Sequence, residues 1–287
     1  MICNDALTLQ EKNLLLKMLF NREATMIWNF SEMRKIKDIV SSLQQIQMIS
    51  HDAWQTLNFS VFKTFYQIVI DMLKNWIKHD ILKSCHDSYW NLWFLIKKKF
   101  NQYHMINAAM NMNKIIIKDV NLSSDVNEFF KEFIDMIIIS LIDLFSEYDQ
   151  IMLTKIYWNL TMFMTFLRLL RQMTLSQDVI NFVTQFIRII IKILKNLLEI
   201  YRSFLNDIEV KKLKTIYNNA KIASKVHQFM LKHIKNLNFV LLNFEFIDCI
   251  ISDKKSQFCM LSIKIMKFVC DFHDCRSENF KIIKILE

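Results

Sequence analysis

Residues 177–205 read QDVINFVTQFIRIIIKILKNLLEIYRSFL, without a glycine or proline and with charges only at intervals. At about 100° per residue, Lys192, Lys195, Glu199 and Arg202 fall within about 40° of Arg188. Gln177, Asp178, Asn181, Thr184, Gln185, Asn196 and Ser203 fall in or beside that sector, and the rest of the circumference is Ile, Leu, Val, Phe or Tyr201. The pattern predicts one long helix, buried on most sides, with a single wet stripe. In the stretch that follows, Lys211, Lys214, Lys221, Lys225, Lys232 and Lys235 recur at helical steps, again on one face.

The same periodicity extends outward in both directions. Thr8-Leu9-Gln10-Glu11 forms a capping box ahead of Leu14, Leu15, Leu16 and Leu19, and Asp125-Val126-Asn127-Glu128 forms a second one, opening a helix to about Phe145. Ser31, Ser60 and Ser88 precede further apolar-periodic segments, the last of them the aromatic run Tyr89-Trp90-Asn91-Leu92-Trp93-Phe94. Additional helices fit roughly 150–173, 208–236, 239–252 and 256–273.

Composition points the same way. The 287 residues contain neither Gly nor Pro, where ordinary usage supplies about 12%. Tight β-hairpins favour Gly or Asn at positive φ, whereas helix hairpins can turn on Asn, Asp and Ser. Lys greatly outnumbers Arg, and Ile, Asn and Phe abound. An AT-rich coding sequence gives that bias, so part of the deficit can be mutational. With 53% apolar residues and a mean hydropathy of +0.17, the chain can bury a large core and is not expected to be disordered.

These readings predict an all-α fold over a single domain, residues 1–287. It would be a stack of antiparallel helix hairpins (a HEAT- or armadillo-like α-solenoid) or an irregular helical bundle. No linker, low-complexity tract or fixed repeat period is visible.

Charge is uneven. Residues 119–150 hold eight acids and one base, while residues 151–237 hold fourteen bases and four acids. A basic ridge of this kind suits nucleic acid or an acidic protein, although any long amphipathic helix needs a solvated face that lysine can fill. Aromatics are not regularly interleaved with the stripe, which argues against a stacking platform for single strands.

Glycine-dependent phosphate and nucleotide motifs, and the Gly-x-Ser-x-Gly elbow, cannot be written in this chain. Glu-x-x-His and His-Glu-x-x-His are absent, and Asp271-Phe272-His273-Asp274 lacks a second acidic motif. Cys249, Cys259, Cys270, His273 and Cys275 offer no Cys-x-x-Cys, and a helix over 256–273 would hold Cys259 and Cys270 about 16 Å apart. Six cysteines are too sparse for a disulfide framework. Cys85-His86-Asp87 are adjacent, but catalytic Cys and His usually meet across a fold. No catalytic residue, cofactor or metal is therefore expected.

The function predicted from sequence is a non-catalytic helical scaffold or adaptor of a larger intracellular assembly, in cytoplasm or nucleus. A protein partner would be held by Arg188, Lys192, Lys195, Arg202, Lys211, Lys214, Lys221, Lys225 and Lys232. The alternative is a basic, helical nucleic-acid-binding protein of chromosome or RNA machinery. Neither a secretory leader nor an apolar run of membrane-spanning length is visible, so a membrane role is not expected.

Overall fold

In a computed structural model the chain is mixed α/β. The structure describes residues 7–37, 46–57, 59, 61–97, 103–119, 137–176, 178–204, 207–210, 220–222, 225–265, 268–271 and 273–277. The chain folds as two compact units. The first comprises residues 1–32, 122–145 and 190–287, and the second comprises 33–121 and 146–189.

In the first unit, helix α1 (Leu9–Phe20) starts at the predicted capping box: Thr8 Oγ1 accepts from the Glu11 N–H, and Glu11 accepts from the Thr8 N–H. A short strand, β1 (Met26–Ile27), follows.

The second unit carries helix α2 (Tyr66–Lys78), strands β2 (Leu82–Ser84), β3 (Trp93–Lys97) and β4 (Tyr103–Asn107), and helix α3 (Met110–Ile115). The chain then returns to the first unit for β5 (Ile139–Asp143). It goes back to the second for β6 (Phe163–Met164) and β7 (Leu169–Gln172). In that unit β3 pairs with β4, and β7 lies between β2 and β6, all antiparallel.

Helix α4 (Phe182–Ile193) passes back to the first unit, which continues with β8 (Tyr201–Phe204), β9 (Asp207–Val210), β10 (Lys221–Ile222) and β11 (Val226–His227). Helix α5 (Gln228–Phe246) follows, and then β12 (Ile251–Ser252), β13 (Gln257–Met260), β14 (Ile263–Ile265), β15 (Phe268–Cys270) and β16 (Cys275–Ser277).

The organising element of the first unit is a four-stranded antiparallel sheet in the order β13-β5-β9-β8. Alternate residues of a strand face opposite sides. Ser140 belongs to the face that meets α5, where its hydroxyl lies 2.8 Å from His233 Nε2 and both residues are buried. Ile139 and Leu141, on the other face, pack with Ile263, Ile265 and Cys270 of the three-stranded β14-β15-β16 sheet. β5 is thus buried from both sides, which is why 137–142 are apolar apart from Ser140 and show no alternation.

The expectation of an all-α solenoid or bundle is overturned, and two physical reasons explain the error. First, with apolar residues at half of all positions, helical and strand periods are both satisfied almost anywhere, and a strand buried on both faces carries no alternation to read. The helices expected to reach Phe145 and to run through 150–173 and 256–273 include β5, β6–β7 and β13–β15 respectively. The helix expected over 177–205 ends at Ile193, and its last residues pair instead as β8 against β9. Second, the missing glycines do not forbid turns. Asp80, Ser146, Asn181, Lys225, Asp248 and Cys259 all adopt positive φ, a strain of about 1–2 kcal/mol each that the surrounding fold outweighs. Part of the apolar-periodic segment expected after Ser31, and of the helices opening at Asp125 and spanning 208–236, lies outside the described residues.

Candidate functional site

The β5–β9 register places Asp143 directly opposite Asp207, each at the end of its strand. On the other flank of β5, the pairing of Gln257 with Leu141, carried two residues on, brings Lys255 opposite Asp143. Its Nζ lies 3.3 Å from Asp143 Oδ1. The turn before β13 is fastened there by Ser256, whose Oγ accepts from the Asp143 N–H at 3.2 Å. A β-bulge in β13 completes the anchorage, with Cys259 at φ 54° and its N–H donating to Ser140 Oγ at 2.9 Å. Bulges commonly re-aim residues at the edge of a site.

From the turn before β13 across β5 to β9 the charge order is therefore plus, minus, minus. The residues face a cleft of about 550 Å³ that is also lined by Lys254, Gln257, Ser262 and Lys264. Burial raises the pKa of Asp143, and Lys255 only partly offsets this. Asp207 is pushed up to about 6, by burial first and then by the charge of Asp143, against a lowering from Lys255. Two carboxylates in register resist being ionised together. A small divalent cation with oxygen preference would relieve that conflict. Among the described residues no group of three or more His, Cys, Asp or Glu side chains converges, so a cation at this place would have only these two carboxylates from such side chains.

The other candidates lie elsewhere. Arg188 and Lys192 are on α4, where Arg188 pairs with Asp119. Lys195 is on a 3-10 turn, Arg202 on β8, Lys221 on β10 and Lys232 on α5; Lys225 precedes β11. The predicted stripe is thus distributed over several elements rather than the faces of two successive helices, although Lys192, Lys195, Arg202, Lys221, Lys225 and Lys232 are all exposed. Lys211 and Lys214 lie outside the described residues. Cys270 and Cys275 are not ligands on a helix but a disulfide across the β15–β16 register. Cys249 and Cys259 are buried and belong to no disulfide. Burial pushes the Cys85 thiol up to about 11, which keeps it protonated near neutrality.

Sequence reasoning missed Asp143 and Asp207 because it placed both within or beside predicted helices. The available signal was the run Ile137-Ile138-Ile139-Ser140-Leu141-Ile142-Asp143, which has strand length, is rich in β-branched residues and ends on an acid. Nothing in the sequence announced its partner, because only the register joins the two.

No family model and no curated protein matches the chain. Solved structures do. A foamy viral protease–reverse transcriptase in complex with dsDNA superposes with a TM-score of 0.81 at 14% identity, over 98% of this chain and 55% of that one. The same kind of protein with an RNA/DNA hybrid gives 0.78 at 15% identity, over 98% and 36%. The prototype foamy virus protein gives 0.78 at 14%, over 94% and 34%.

The chain has the fold of part of these reverse transcriptases. It spans from about a third to about half of their length. The finding overturns the expected helical scaffold or adaptor, and also its helical alternative: the structural neighbours are nucleic-acid enzymes and not solenoids. The neighbours are enzymes by their own description, and their likeness to this chain is one of fold. Among the described residues no helix is long and apolar enough to cross a membrane.

Proposed function

We propose that this chain is a reverse-transcriptase-like nucleic-acid domain in which Asp143 and Asp207 hold a divalent cation for nucleotidyl transfer. The observation that carries the reading is the in-register carboxylate pair at the strand ends, open to a cleft with basic lining, within a fold shared with nucleic-acid-bound reverse transcriptases. When bound, the cation would supply Lewis acidity at a phosphoryl oxygen and neutralise charge there. Asp143 and Asp207 would fix its place, being themselves held by the β5–β9 ladder and by Ser256. Lys254 and Lys255 put positive charge on the same cleft, where it would favour an anionic substrate.

The charge distribution supports nucleic acid as the partner. Of the net +9, the second unit holds sixteen basic and nine acidic residues, whereas the first is nearly balanced. Sequence-independent binding to duplexes follows such an excess and weakens with salt as counterions are released. The exposed basic residues Lys192, Lys195, Arg202, Lys221, Lys225 and Lys232 add phosphate-binding capacity in the first unit.

The test is extension of a primer on DNA and RNA templates with Mg²⁺ or Mn²⁺, comparing the wild type with Asp143→Asn and Asp207→Asn. Extension that either substitution removes, with duplex binding retained, supports the reading. Extension unaffected by both substitutions, or no extension by the wild type under any cation, contradicts it.

A further inference from the structure

The carboxylate pair already has a cation of its own beside it. Lys255 reaches Asp143 from the turn before β13, on the flank of β5 away from Asp207, so that one ammonium faces a pair able to carry two negative charges. Its backbone is held closely: Ser252 O accepts from the Ser256 N–H at 3.0 Å, and Ser256 Oγ lies against the Asp143 backbone. Its side chain is not held in the same way. Lys255 is 67% exposed where Asp143 is 13% exposed, so its ammonium can pass into water at little desolvation cost.

A single ammonium neutralises one of two carboxylates, while a divalent cation neutralises both and accepts oxygens of either. Both need the same Asp143 oxygens. Resting on the reading of Asp143 and Asp207 as cation ligands, we propose that Lys255 is the resident counter-ion of the pair, displaced from Asp143 each time a divalent cation enters. The apparent affinity of the site for the cation is then set by competition with a tethered side chain, and the empty site is kept from carrying two uncompensated charges. The neighbouring Lys254 lines the same cleft. It provides an internal comparison: an equal charge one residue away, on the same cleft but not the ion-pair partner seen at Asp143.

The experiment is calorimetric titration of the full chain with Mn²⁺ alone, in the absence of nucleotide and nucleic acid. Lys255→Met should tighten Mn²⁺ binding about fivefold, the scale of a partly exposed ion pair. Lys255→Arg, which restores the charge, and Lys254→Met should each stay within about twofold of wild type. Lys255→Met and Lys254→Met tightening binding equally would overturn the proposal, because the effect would then be general electrostatics rather than displacement. No change in Lys255→Met would overturn it as well, provided Asp143→Asn still abolishes binding, and the carboxylate-pair reading would stand. If Asp143→Asn and the wild type bind alike, or neither binds, the cation-ligand reading itself falls and the displacement proposal falls with it.

Discussion

Two carboxylate sites in the first unit have been treated in opposite ways. Glu11 is buried and fully served. Its oxygens accept from the Thr8 N–H at 2.8 Å and the His227 N–H at 2.9 Å, and its Oε1 lies 2.9 Å from His227 Nδ1. Burial would raise its pKa, but these hydrogen bonds outweigh burial and hold it below the ordinary range. Asp143 and Asp207 are opposed to one another, share one exposed lysine, and are both pushed upward. Glu11 joins the capping box of α1 to the start of α5 and so serves the fold. The aspartate pair works against the fold, and such conflicts cluster where binding or chemistry takes place.

The largest separation between the two sites is expected in activity. Asp143→Asn and Asp207→Asn should each lower nucleotide incorporation by about a hundredfold or more, while Glu11→Gln should leave the specific activity of the folded fraction unchanged. Single-turnover extension checks both.

Stability should separate them in the reverse sense. Glu11→Ala strands the Thr8 and His227 donors and should destabilise by about 2–4 kcal/mol. Asp207→Asn removes a like-charge conflict and should stabilise by about 1 kcal/mol near neutral pH. Urea unfolding of the variants measures both; a destabilising Asp207→Asn would break the comparison.

The pH dependence sharpens it further. Asp207 has a folded pKa near 6, above its unfolded value near 4. The native state therefore binds more protons in this window, and the stabilisation present below about 4 is lost as pH rises through about 6. Glu11 has the opposite sign: its contribution is present above the ordinary carboxylate value and lost as pH falls through its depressed folded value. Unfolding of Asp207→Asn should therefore lack the slope between about pH 4 and 6, and that of Glu11→Gln the slope below about 4.5.

The smallest effect concerns turns that this glycine-free chain makes without glycine. Ser146, three residues beyond Asp143, and Lys225, just before β11, have φ of 45° and 74°. Ser146→Gly and Lys225→Gly should each raise stability by about 0.5–1 kcal/mol. A loss at either position would show that its side chain offsets the backbone strain.

How much of this was legible depended on how local the information is. The α1 capping box lies within four residues, and it was read correctly. α2 was visible because its face alternates between buried Val69 and Leu73 and exposed polar positions. By contrast, residues 194–204 have helical composition throughout, and only the partner strand beginning at Asp207 converts their end into β8. Asp143 and Asp207 are unremarkable acids until the sheet register sets them opposite each other. The excess of basic residues was visible, but their distribution between the two units was not, because each unit is assembled from separate stretches of chain.

The most direct measurement is a pH titration of carboxyl-labelled protein followed by NMR. The account predicts that the Asp207 carboxyl titrates near 6 and that Glu11 titrates below the ordinary glutamate range. Mg²⁺ should move the Asp207 signal and leave that of Glu11 in place. Asp207 and Glu11 titrating alike in the ordinary range, with neither responding to Mg²⁺, would contradict it.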